Sequence, residues 1–138
     1  MRRDEGQAVI ETILLGLLLI VPLIWAMGVL ADLHRSALAL TAAVREGGSE
    51  AARVATRTGA EQALDAAVAQ ALLDHGLDPS RATVEWSGAP GVRGGVVEVH
   101  IRYPVTVLQA PLIGRVSGPS IIVEARHLAR VDPFRSRE

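Results

Sequence analysis

Residues 12 to 31 hold no charged side chain. Wound as a helix, about 20 residues reach ~30 Å, the thickness of a bilayer's hydrocarbon core. One carboxylate, Glu11, stands at the mouth of this run. The chain beyond residue 31 is too polar to enter lipid. The sequence therefore divides into an anchor and a load.

The flanks orient the anchor. Arg2 and Arg3 precede it, and the next arginine is Arg35, opposed by Asp32. The positive-inside bias predicts a cytoplasmic N-terminus and a body on the other side of the membrane. Within the run, Pro22 removes a backbone hydrogen bond and crowds the carbonyl four residues earlier, so a kink is expected there. Gly16 and Gly28 thin the helix, and Trp25 falls near mid-run.

From Asp32 the pattern becomes amphipathic. Leu33, Ala37, Leu40, Val44, Gly47, Ala51 and Val54 recur at alternating gaps of four and three, a heptad-like packing seam. Small residues in such a seam let another element come close. Two partners fit: the chain's own domain, or a neighbouring subunit. Arg35, Ser36, Glu46, Ser49, Glu50 and Arg53 are expected to face elsewhere. Gly47 and Gly48 each weaken a helix by roughly 1 kcal/mol relative to alanine, which predicts a hinge. Gly59 reads as a break. A second helix is expected over 60–75, with Leu64, Val68, Ala71 and Leu72 on one face and Gly76 as its C-cap.

The C-terminal half alternates with period two. Ala82, Val84 and Trp86 form one short apolar face. Val97, Val99, Ile101, Tyr103, Val105 and Val107 form a longer one, and Val123, Ala125, Ala129 and Val131 a third. Pro104 predicts an exposed edge or a strand end. Three strands with one apolar face need a helix to cover them. The fold class expected is thus α+β: a long N-terminal transmembrane and amphipathic helix, a second helix, then a small three-stranded antiparallel sheet. The 108–114 segment is unusually apolar for a loop, either capping the core or offering a contact. Residues 132–138 read as a polar tail.

Composition narrows the function. The formal net charge of −1 gives no reason to propose nucleic acid as a partner. There are no cysteines, so no disulfide framework or cysteine metal site is available. His34, His75, His100 and His127 show no helical metal spacing, and Ser117 and Ser120 lack a histidine–carboxylate context. There is no HExxH, GxSxG or phosphate-binding glycine loop. No catalytic residue, metal ligand or cofactor site is assigned, and the chain is not read as an enzyme.

Three readings fit residues 1–31: a secretory signal cut near Ala37-Leu38-Ala39, a plain anchor, and a leader cut on the cytoplasmic side with the apolar run retained. The first calls for a shorter apolar core of about 7–15 residues. The third accounts for Gly6, Gln7, Ala8, Val9, Ile10 and Glu11, which resemble the processing site of type IV prepilins in its short-leader form. These sites often carry Phe after the glutamate, where this chain has Thr12. Ala42-Ala43-Val44-Arg45-Glu46-Gly47-Gly48 resembles a stretch of TadE-like proteins, the pseudopilins of bacterial Flp/Tad pilus systems. Val99 to Tyr103, the Pro111–Gly114 loop and the last strand through Pro133 are similar to that family as well.

The resemblance implies a pilin-like layout: a leader over 1–6, a stem over 7–31, a juxtamembrane helix over 32–58, a head over 59–131 outside the membrane, and a tail. It implies cleavage between Gly6 and Gln7 by a prepilin peptidase. It also implies partnership with the membrane, with other pilin or pseudopilin subunits and with pilus assembly machinery. The cut would free a terminal amine on Gln7, which pairs with Glu11 of the next subunit and sets the register of the stems. The alternative is a bitopic anchor presenting a binding or regulatory domain to the cell envelope.

Overall fold

A computed structural model describes residues 2–107 and 118–132, with side chains from Gly6 onward. The element order is helix α1 (Arg2–Arg53), helix α2 (Arg57–Asp74), a 3-10 turn (Pro79–Arg81), and strands β1 (Thr83–Gly88), β2 (Val96–Thr106) and β3 (Ser120–Arg130). The chain divides into two compact units, Met1–Asp32 and Leu33–Glu138. The architecture is α+β, as the patterning implies. The apolar loop at 108–114 and the tail from Pro133 lie outside the described residues.

In the second unit, the strands form one antiparallel sheet in the order β1-β2-β3. Period-two alternation sends Val97, Val99, Ile101, Tyr103 and Val105 to a single face, where all are buried. Trp86, Val84, Val123 and Ala125 extend that face as partly buried neighbours. Helix α2 covers it with Ala60, Leu64, Val68, Ala71 and Leu72. The C-terminal part of α1 adds Ala39, Leu40, Ala43, Val44, Ala51 and Ala52.

The meeting of α1 with the other elements turns on two adjacent glycines. A Cβ on Gly47 would stand 2.7 Å from Val68 Cγ2 of α2. One on Gly48 would stand 3.3 Å from Ala129 Cβ and 3.6 Å from Val99 Cγ2 of the sheet. The helix runs through both without a break. Gly47 therefore faces α2 and Gly48 faces the sheet, and their missing side chains set how closely each approaches.

This contact broadens the expected seam. Leu40, Val44, Gly47 and Ala51 are buried and Leu33 and Val54 half-buried, but Ala37 is exposed. Ser36, expected to face away, is buried. A straight helix drifts relative to a heptad repeat. The buried stripe consequently takes in Ser36, Ala39 and Ala43 on one side and Gly48 and Ala52 on the other, and Ala37 falls outside it. The break also moves. Helix α1 ends at Arg53, and Thr56 caps α2 by accepting the Gly59 N–H at 3.3 Å on its hydroxyl oxygen. Gly59 lies inside the first turn of α2, because capping chemistry at Thr56 outweighs the propensity of one glycine. The loop between β1 and β2 packs on the three-residue linker. Gly91, with φ +77°, sits so close to the Ala55 carbonyl that any side chain would strike it.

Pro104 lies in the central strand without breaking the sheet. Pairing of β1 with β2 stops at Thr83 with Arg102. The Pro104 carbonyl accepts a hydrogen bond from Arg81 Nη2 at 2.9 Å. Within a strand a residue's N–H and C=O point to the same side. The donor that proline lacks would thus have pointed where β1 has already ended, which makes this a local edge. Arg81 also lies over the Tyr103 ring, 5.3 Å from its centroid, and the Tyr103 hydroxyl accepts the Asp78 N–H at 3.3 Å. These contacts tie the turn after α2 to the sheet.

The packing and the turn each make a testable prediction. Gly47→Ala forces Val68 aside; overpacking of about 1–3 kcal/mol outweighs the ~1 kcal/mol gain in helix propensity. The thermal midpoint of the detergent-solubilised chain should fall, and an unchanged midpoint would show that α2 yields freely. The second concerns Asp78, whose carboxylate accepts from the Ser80 hydroxyl at 2.7 Å and the Ser80 N–H at 2.9 Å. Those bonds hold its pKa below the ordinary 3.8, with a smaller contribution from Arg81. A depressed folded pKa stabilises above the unfolded value and is lost as pH falls through the folded one. Acid titration of the melting midpoint should therefore show a component below about pH 4 that Asp78→Asn lacks.

Candidate functional site

The candidate site is the N-terminal end of α1, where Gly6, Gln7, Glu11 and the start of the apolar run share one helix. Leu, Ile and Val dominate residues 13–24, and the large apolar side chains point in every direction around the axis. Their exposure runs from 47% at Trp25 to 75% at Leu18. A helix that is apolar all round belongs inside a large core or a membrane. The segment is long and apolar enough to cross a membrane, and none of its most apolar window is buried by the rest of the chain.

Polar groups at its mouth are arranged in two ways. The Thr12 hydroxyl donates to the Ala8 carbonyl at 2.9 Å, so its donor is already satisfied within the helix. Glu11 is exposed, as are Gly6 and Gln7. Gln7 and Glu11 are four residues apart, one turn, and so lie on the same face. Helical side chains lean toward the N-terminus, which carries the Glu11 carboxylate over the turn that contains Gln7. Further along, Pro22 sits within α1 without ending it. Gly16 and Gly28 have open space where a side chain would be.

The open face of the sheet is a second place where chemistry-bearing residues gather. Arg102 lies between Glu85 at 3.2 Å and Glu124 at 3.6 Å, and Arg126 pairs with Glu98. His100 Nε2 is 3.4 Å from Glu124 and Nδ1 is 3.8 Å from Glu85. The histidine side chain is only about one quarter exposed. Its direct cross-strand partners are Glu85 on β1 and Arg126 on β3, and Glu124, the partner of Arg102, reaches its ring diagonally. Pairs this exposed contribute about 0–1 kcal/mol each and lace the strands together. Among the described residues, no three His, Cys, Asp or Glu side chains are grouped to hold a metal ion. His127 lies on the inner face, with its ring against Gly48.

Sequence pattern located Glu11, Gly6 and Gln7, and the structure brings Gln7 and Glu11 to one helix face. The seam residues belong to the second unit. Ser36, Ala39, Ala43, Gly48 and Ala52 were missed as packing residues. Alanine, glycine and serine carry little hydropathy signal, and small residues at three- and four-residue spacing also include the exposed Ala37. Comparison with protein-family models, curated proteins and solved structures returns no match. The fold and the site define the chain as an α+β protein with one N-terminal helix capable of spanning a membrane.

A charge placed at the middle of the span tests this. Leu18→Arg should cost about 2.5–3.5 kcal/mol of insertion on translocon scales. More of the chain should then be released by alkaline carbonate, with the melting midpoint of the Leu33–Glu138 unit unchanged. Equal retention in the membrane pellet would mean that the helix does not cross lipid.

Proposed function

We propose that this chain is a TadE-like pseudopilin, a minor structural and assembly subunit of a Tad/Flp pilus or a related secretion machine. Its activity is assembly, with no catalytic role. A prepilin peptidase removes residues 1–6 by cutting after Gly6. The stem waits in the cytoplasmic membrane with its N-terminus on the cytoplasmic side and the head outside. It then packs with the stems of other pilin or pseudopilin subunits.

One observation carries the reading. An exposed carboxylate, Glu11, sits five residues after an exposed glycine and at the mouth of an apolar helix that the rest of the chain leaves uncovered. A carboxylate at a membrane edge is costly and is usually partnered. The terminal nitrogen of Gln7, freed by the cut, supplies a donor to Glu11 of a neighbouring stem. A pair with little water around it is worth far more than a surface pair, and an unpaired member is penalised. Glu11 thereby sets the register between stems. The resemblance at residues 6–48 supports the same assignment.

Glu11→Ala should still insert and fold its head, with an unchanged melting midpoint, yet fail to enter assemblies. Co-sedimentation of the variant with sheared filaments or cross-linked subunits measures this. Normal entry into assemblies would remove the register role. An intact Met1 in cells with an active prepilin peptidase would leave the bitopic envelope anchor as the reading.

A further inference from the structure

The residue that the proposed cut exposes is a glutamine, and its side chain can react with the amine the cut creates. We infer that Gln7 is a modification site. After removal of residues 1–6, its α-amine closes on its own side-chain amide to give an N-terminal pyroglutamate. This rests on the processing proposed above and specifies the chemical state of the nitrogen that Glu11 meets.

The step balances without a co-reactant. The amine nitrogen attacks Cδ of Gln7 and a new N–Cδ bond forms. The Cδ–Nε2 bond breaks, and Nε2 departs as ammonia with a proton from the amine. A five-membered ring closes between groups held in one residue, the arrangement in which intramolecular reactions gain most from proximity. An α-amine titrates at about pH 7.7–8.0, so part of it is free base at neutral pH.

Three features of the site favour the lactam. Gln7 is exposed, so its amide is free to turn back on the new terminus. Gln7 would open a long helix, and an ammonium there opposes the positive end of the helix dipole, which a neutral ring does not. The apolar run begins five residues later, and placing a neutral group at that boundary costs less than placing a cation. Glu11, one turn on and on the same face, is placed to take the amine proton during closure. The lactam keeps one N–H, so the donor to Glu11 of the neighbouring stem survives while its charge is lost. The register contact becomes a charge-assisted hydrogen bond to a neutral donor in place of an ion pair.

Intact-mass and N-terminal peptide mass spectrometry of the full chain from its native membrane tests this. The expected mass is that of residues 7–138 less one ammonia, with the loss localised to the first residue. Edman sequencing should be blocked and then restored by pyroglutamyl aminopeptidase acting on the denatured chain. Gln7→Ala should give the mass of a cut chain with no ammonia lost. A chain that starts at Gln7 with a free or methylated amine overturns the inference and leaves the processing reading standing. A chain that still begins at Met1 overturns both.

Discussion

The fold of the second unit depends on how closely α1 can approach two different surfaces at once. Gly47 admits α2 and Gly48 admits the sheet, one residue apart in the same turn. A side chain at Gly47 would meet the β-branched Val68, whose rotamers are few, so the space is not easily made elsewhere. The alanines above and below continue the same close approach, with Ala39, Ala43, Ala51 and Ala52 all buried. The core is thin because of this, and its bulk comes from Leu40, Leu64, Leu72 and the valines and isoleucine of β2.

The same helix carries two side-chain patterns. Before Asp32 it is apolar on every side, which suits lipid or the inside of a large core. After Leu33 it is apolar on one stripe, which suits a two-layer α+β core in water. Backbone hydrogen bonding is internal to the helix in both stretches, which is what a segment able to enter lipid requires. Glu11 sits at the opposite end of the apolar run from this change, where a carboxylate can still reach water or a partner.

The sheet was the most legible part of the sequence. In β2, eleven residues of strict alternation determine which face is buried, since a slip of one residue would expose Ile101 and bury Arg102. Helix α2 was legible from Leu64, Val68, Ala71 and Leu72, although Thr56 and not Gly59 decides where it starts. The stripe on α1 was only half legible. Ala37 and Ala39 have the same side chain, and no local pattern says which one meets the core. Pro104 shows the same limit: a proline announces an edge, but the shortness of β1 decides that the edge lies within a central strand.

By itself the sequence determined the apolar run, the carboxylate at its mouth, the α+β class and the parity of every strand. These stem from side-chain polarity and from the two backbone periods, which are local properties. The tertiary structure decided which small residues of α1 touch α2 and which touch the sheet. It also decided that α1 continues unbroken through Gly47 and Gly48, and that His100 stands between two carboxylates. Those outcomes depend on distances between elements far apart in the chain, and glycine and alanine leave no trace of such distances in a linear pattern.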